Sequence, residues 1–219
     1  MVTLSDIENA RTLLADHIKK TPLLKSPDIA AHPGLDVYLK AENLQRAGSF
    51  KVRGALNKIY SLTEEERARG VIAASAGNHA QGVALAAGSL GIRAVICMPE
   101  GAPISKVEAT QSYGAEVVLH GSTYDDAYEK ARELQAAHGY TLIHGFDDPY
   151  TIAGQGTIGL EILEQLPEVA TVLVPIGGGG LIAGIALALK SLRPDVRVVG
   201  VQAAGAPAVF LSRQHGELM

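Results

Sequence analysis

From Val37 onward, short apolar and β-branched runs alternate with helix-length segments, and this alternation restricts the possible folds more than any other feature of the chain. The runs VYLK (37–40), GVIAAS (70–75), RAVICMP (93–99), AEVVLH (115–120), TLIHGF (141–146), TVLVPIG (171–177) and RVVGVQ (197–202) predict strands buried on both faces. The intervening segments 51–61, 79–90, 103–113, 123–138, 151–166 and 180–192 predict helices. Pro103 suits a first helical turn, and Ser122 or Thr123 suits the cap of an acid-rich segment. Strands separated by helices can run parallel, with the helices covering both faces, so the expected architecture is doubly wound α/β.

With 219 residues, 47% of them apolar, the chain can bury a real core, and no repeat or flexible linker divides it. A net charge of −4 gives no basic footprint for nucleic acid. The lone cysteine, Cys97, has no intrachain disulfide partner, which fits a reducing cytoplasm. The N-terminal MVTLSDIENARTLLADHIKK is charged and amphipathic, unlike a signal peptide. Thr171 to Leu189 carries no charge, but Pro175 and the glycines Gly177 to Gly180 cut it into a strand and a helix. Such a broken backbone would leave polar groups unsatisfied in lipid, so no membrane role is expected. After RVVGVQ the chain runs into AAGAPAVFLSRQHGELM, the beginning of another helix, so the sheet stops mid-pattern and a fragment of a longer protein is expected.

Three loops that follow predicted strands carry the chemistry, as ligands of α/β sheets gather at strand carboxyl ends. In TVLVPIGGGGLIAGIALAL, the amides of Gly177, Gly178, Gly179 and Gly180 lead into a helix start, an arrangement suited to phosphate. A tight turn needs only one or two glycines. No Gly-Lys-Ser/Thr follows, which excludes a nucleotide P-loop. Gly178, Gly180 and Ala183 fit dinucleotide spacing, but Gln202 stands where an acid should hold the ribose. In SAGNHAQG (75–82), Ser75, Gly77, Asn78 and the helix start offer donors for a carboxylate or a phenolate oxygen; an Asn78-capped turn is the equal alternative. His79 reads as a helix-start residue with a local hydrogen bond. No second histidine stands at metal-ligand spacing, and no metal site is expected. In AENLQRAGSFKVRGALNKIY (41–60), Lys51 stands at or just before a helix start among Phe50, Val52, Gly54 and Ala55. Desolvation and the positive helix end both lower a lysine pKa and favour the nucleophilic amine, although most lysines are solvated surface charges. An amine nucleophile, a phosphate cradle and a carboxylate-sized donor loop together match pyridoxal 5′-phosphate.

In their order, SFKVRGA, SAGNHAQG and GGGGL resemble the threonine dehydratase and serine racemase group of pyridoxal-phosphate enzymes of tryptophan-synthase-β fold type, and the resemblance extends to DIENARTLLADHIKKTPLL (6–24) and KAENLQ (40–45). It implies that Lys51 is the Schiff-base lysine and moves the substrate Cα proton. Phe50 would pack on the cofactor ring, Asn78 would bind its phenolic oxygen, and Gly177 to Gly180 with Leu181 would hold the phosphate. Ser75, Ala76, Gly77, Asn78 and His79 would bind the substrate carboxylate. Two doubly wound parallel-sheet domains are implied: a large one, 1–65 with 141–219 and truncated, and a small movable one, 66–140.

Where racemases of this group carry a second serine, this chain has Ala76, which cannot transfer a proton and so favours dehydration. The stretch QAAGAPA (202–208) lacks the carboxylates that bind a divalent cation in some members. Family members are longer, and a later strand faces the pyridine nitrogen. The resulting expectation is a cytoplasmic, homo-oligomeric ammonia-lyase. It would convert L-threonine to 2-oxobutanoate, and secondarily L-serine to pyruvate, in isoleucine biosynthesis or threonine catabolism. A serine racemase, a hydroxyaspartate dehydratase and a catalytically inactive fragment stay open as alternatives.

Overall fold

A computed structural model describes residues 1–29 and 34–219. Helix α1 (Leu4–Leu14) starts at a reciprocal cap between Thr3 and Asp6 and is followed by two short antiparallel strands, β1 (Leu23–Lys25) and β2 (Tyr38–Lys40). Helices α2 (Lys51–Tyr60) and α3 (Glu64–Arg69) lead to the first parallel sheet, β3 (Val71–Ala74), β4 (Ala94–Met98), β5 (Glu116–Leu119) and β6 (Thr141–Leu142), in the order β5-β4-β3-β6. Helices α4 (Asn78–Ser89), α5 (Ile104–Ser112) and α6 (Tyr124–His138) connect its strands. Helix α7 (Pro149–Gln165) then crosses to a second parallel pair, β7 (Thr171–Pro175) and β8 (Arg197–Val201), joined by α8 (Gly180–Leu192); α9 (Ala208–His215) follows.

The period-2 pattern of the first sheet sorts its side chains. Val71, Ala73, Ile96 and Met98 pack with Val52, Leu56 and Ile59 of α2 and Ala80, Val83 and Ala84 of α4. Ile72, Ala74, Val95 and Cys97 point the other way, onto Ala127 and Ala131 of α6. Thus β3 and β4 are buried on both faces, as parallel strands between two helix layers must be. The same expectation fails for β5, whose ends are exposed, and for β7, where burial alternates. On β7 and β8, Val172 and Val174 pack under α7 and α8, while Leu173 stays 67% exposed and Val201 52% exposed on the uncovered face.

Three further expectations need correction. The strand at 37–40 is antiparallel to β1, a partner absent from the predicted set. Helix α3 was also absent from that set, although Thr63 and Glu66 form the reciprocal cap that T-x-x-E spells. The run at 141–146 pairs with β3 only through Thr141 and Leu142, after which the chain becomes a loop. Because β6 belongs to the first sheet, a division at 140/141 cuts that sheet between α6 and β6.

Helix α7 is buried almost all round and contains Gly154, Gly156 and Gly159. Glycine costs a helix interior about 1 kcal/mol relative to alanine, and close packing offsets that cost here. A Cβ on Gly154 would stand 2.7 Å from Gly54 Cα of α2, and one on Gly184 of α8 would stand 2.6 Å from the Gly156 nitrogen. Both obstacles are backbone, which cannot swing aside. Gly184→Ala should therefore destabilise the protein by about 1–3 kcal/mol, lowering the urea midpoint with unchanged slope, whereas Gly205→Ala, which meets open space, should not.

Candidate active site

Lys51 is the first residue of α2, with Phe50 at the cap and Ser49 extended before it (φ −164°, ψ 164°). The turn at 46–48 that delivers them holds Ala47 at φ 57°, the one described non-glycine residue in left-handed backbone, a cost of about 1–2 kcal/mol. The Lys51 side chain turns into the protein, where Nζ donates to the Gly145 carbonyl at 2.6 Å and stands 5.4 Å from the Phe50 ring centroid. Burial pushes its pKa below the ordinary lysine value. A neutral carbonyl as partner leaves that desolvation uncompensated, so the amine loses its proton more readily than a surface lysine does.

The SAGNHAQG segment begins where β3 ends. Ser75 N donates to Cys97 O across the sheet at 3.0 Å, and Ser75 Oγ accepts from Gly77 N at 3.2 Å. Gly77, not Asn78, caps α4, and it makes no side-chain cap bond; Asn78 is the first helical residue and is exposed. The capping alternative for Asn78 is thereby overturned. Ala76 is half-buried and packs against the first core cluster. The expected local bond of His79 is replaced by a long-range one: the ring is buried and its Nε2 donates to Ile143 O at 2.8 Å. Burial, with smaller repulsion from Lys51, pushes the His79 pKa down to about 4, so the ring is neutral.

The four glycines divide into two kinds. Cβ atoms on Gly178 and Gly180 would run into Phe146, its ring in the first case and its backbone in the second. Gly177 and Gly179 face open space. Gly179, at φ 88°, is the cap of α8, so the helix amides begin beside it with no side chain in front. Leu181 packs into the core beneath α8 together with Phe50.

The run 141–146 has the pattern of a strand, but residues 143–146 form a loop that ties the three loops together, a role the sequence pattern does not show. Ile143 O receives His79, Gly145 O receives Lys51, and Phe146 lies on Gly178 and Gly180. The loop is itself held. His144 Nδ1 accepts from Asp147 N at 2.8 Å, Asp148 caps α7 through Tyr150 N and Thr151 N, and Lys58 pairs with Asp148 at 2.8 Å. A signal was present: Asp148-Pro149 is a cap followed by a first-turn proline, which forces a strand-to-helix loop at another strand carboxyl end.

The arrangement fits pyridoxal phosphate on its own residues. Lys51 supplies a desolvated amine free of a carboxylate partner among its pKa determinants, and Gly177 and Gly179 leave open space at a helix N-terminus for an anion. Among the described residues no cluster of histidine, cysteine and carboxylates could hold a metal, and no helix is long and apolar enough to cross a membrane.

The depressed His79 pKa has a testable sign. Between the unfolded value near 6.5 and about 4 the unfolded chain binds the extra proton, so stability falls as pH drops through that window and levels off below it. Lowering the pH from 7 to 5 should cost about 2 kcal/mol through this residue. In His79→Gln, which can still donate to Ile143 O, urea unfolding at the two pH values should differ by correspondingly less.

The chain is 53% identical over 216 residues to the L-threonine ammonia-lyase of Thermotoga maritima, an alignment covering 99% of this chain and 54% of that protein. The maize serine racemase structure superposes with a TM-score of 0.96 at 40% identity, covering all of this chain and 66% of that one. Processed threonine deaminase isoform 2 of Solanum lycopersicum superposes at 0.94 with 44% identity, covering 98% of this chain and 59% of the other. The chain thus spans between about half and two-thirds the length of these relatives. A family model, described as pyridoxal-phosphate dependent enzyme, matches residues 14–218, a span that includes Lys51, the 75–82 segment and the glycine loop. On that match and these identities, the chain belongs to the pyridoxal-phosphate dependent enzyme family.

Proposed function

We propose that this chain carries pyridoxal phosphate on Lys51 and belongs to an ammonia-lyase that removes water and ammonia from L-threonine, and secondarily from L-serine. The observation that carries the reading is the half-buried Lys51 amine, facing one carbonyl and linked through residues 143–146 to the glycine loop and to the start of α4. The cofactor would supply an aldehyde that joins an amine and a ring that withdraws the electrons left when the Cα proton departs.

The chain's own residues supply the rest. Amides of Gly177 to Gly180 and Leu181 would hold the phosphate at the α8 N-terminus. Phe50 would flank the ring, and the exposed Asn78 amide would bind its phenolic oxygen. The 75–79 segment holds the substrate carboxylate by backbone amides and Ser75; His79 contributes its backbone, since its ring is committed to Ile143. Lys51 Nζ takes the Cα proton, and burial lowers its pKa in the direction that favours the neutral, proton-accepting amine. Ala76 offers no proton, which supports elimination over racemisation. Loss of water, then hydrolysis of the product imine, yields 2-oxobutanoate and ammonia from threonine. The reading extends to a cytoplasmic homo-oligomer, in which the unit 66–140, carried on through β6 so that its sheet stays whole, moves against the remainder and a further segment faces the pyridine nitrogen.

Borohydride reduction of protein incubated with pyridoxal phosphate, followed by peptide mass mapping, should place the pyridoxyl group on Lys51. Labelling of a different lysine would sink the assignment. Lys51→Ala should abolish both labelling and release of 2-oxobutanoate from L-threonine by the full-length protein.

Phosphate binding is tested at Gly179. Gly179→Asp and Gly179→Asn share the backbone cost of the left-handed cap, but only the first adds a negative charge. Titration of cofactor binding should show the aspartate variant weaker by about tenfold or more, or about 1.4 kcal/mol. Equal affinities for the two would remove the anion from this loop.

A further inference from the structure

Lys51 and Arg53 are two residues apart on α2, so their side chains leave the helix about 200° apart. Lys51 enters the site, while Arg53 enters the interior and is 0% exposed. Nothing in the proposed chemistry uses Arg53, yet it is the most elaborately bonded side chain of the described residues around the site. Its guanidinium makes two forks. Nε and Nη2 donate to Glu42 at 2.9 and 2.8 Å, and Nη1 and Nη2 donate to Glu161 of α7 at 2.6 and 3.1 Å. Nη1 also reaches Thr157 Oγ1 at 3.1 Å. Lys40 closes the group, with Nζ bonded to Glu161 at 2.5 Å, Gln165 at 2.9 Å and the Thr21 carbonyl at 2.6 Å. Thr21 Oγ1 donates to Glu42 in turn.

Two cations and two carboxylates thus form a neutral buried quartet that joins β2, the 42–44 turn, α2 and α7. Burial works against the Arg53 charge, and Glu42 and Glu161 outweigh it, holding its pKa above the ordinary value. Buried ion pairs of this kind are poor sources of stability, because desolvation consumes most of the Coulomb gain, and apolar replacements are often neutral. What two planar forks do supply is angle. They fix the rotation of α2 about its axis at its first turn, where one residue of slack would swing Lys51 away from Gly145. Gln45 steadies the adjoining turn, pairing with both the amide and the carbonyl of Lys19 at 2.9 and 2.6 Å.

We propose that Arg53 is a positioning residue: through its forks to Glu42 and Glu161 it aims the Lys51 amine into the site, and angle rather than stability is what the buried quartet provides. The inference deepens the assignment of Lys51 and rests on it only for its consequence in cofactor attachment.

Two variants test it. Arg53→Met with Glu161→Gln removes one charge of each sign, leaving Lys40 and Glu42; Arg53→Lys keeps the charge and loses the forks. Arg93→Met, at the exposed Arg93–Glu116 pair, is the control. The readouts are the thermal midpoint, the reactivity of Lys51 in trace acetylation across pH resolved by peptide mass mapping, and the rate of imine formation with pyridoxal phosphate. The titratable group whose charge acts with Lys51 is His79 of α4, which in turn feels His144 of the loop, and neither is altered. Both test variants should stay folded. In them the Lys51 labelling midpoint should rise toward the ordinary lysine value as the amine swings to water, and imine formation should slow by roughly 10- to 100-fold. The control should match the parent.

A folded variant with labelling profile and imine rate within about twofold of the parent would overturn the proposal. Should the double variant fail to fold, Arg53→Lys decides; if that also unfolds, the quartet is a folding requirement and the proposal is wrong. Pyridoxyl found on another lysine would defeat the functional assignment alone, since acetylation of Lys51 needs no cofactor.

Discussion

The molecule depends on how closely α7 can approach its neighbours. Its backbone lies against α2 at Gly154 and Gly54 and against α8 at Gly156 and Gly184, with no room for a methyl group at either crossing. At that separation the direction of each helix is set by backbone rather than by adjustable side chains. Glu161, one turn beyond Thr157 on the same helix, then comes within reach of Arg53, and the first turn of α2 is fixed in rotation as well as position. The helix that bears Lys51 and the helix that begins at the glycine loop are therefore both referenced to α7.

That geometry has an electrostatic result. The loops after β3 and β7 each end in a helix whose first amides are open, and α2 begins at Lys51 itself. Amides at helix starts favour anions, and burial favours a neutral amine. Open amides at helix starts and a desolvated amine are the groups that a ligand bearing an anion and an aldehyde would need. Residues 143–146 make the three loops one unit by bonding to two of them and covering the third, which means that disturbance of any loop is felt by the others.

The chain's own order of motifs was enough to establish that the 75–82 segment and the four glycines lie at strand ends next to helix starts, and that Lys51 stands at a helix start, because alternation, turn residues and caps are local properties. Parallel sheets followed from the same local pattern. The role of 143–146 was not legible, since TLIHGF has the period of a strand and its function lies in backbone carbonyls that any sequence would carry. Asn78 as a cap and His79 with a local bond are local readings too, and both fail: the helix begins one residue earlier than a cap at Asn78 requires, and His79 bonds a carbonyl 64 residues away.

What the sequence determined by itself, then, was the inventory and its sites of attachment: which residues sit at helix starts, which runs are apolar enough to be strands, and that a lysine stands among small apolar neighbours. Only the tertiary structure decided which way each side chain turned. Arg53 and Lys51 look alike in sequence, two cations on one short helix, yet one is locked between two carboxylates and the other donates to a single carbonyl. Helical period separates the two faces, but the Gly145 carbonyl that meets Lys51 and the Glu161 carboxylate that completes the grip of Glu42 on Arg53 lie more than 90 residues away, and no local pattern encodes their arrival.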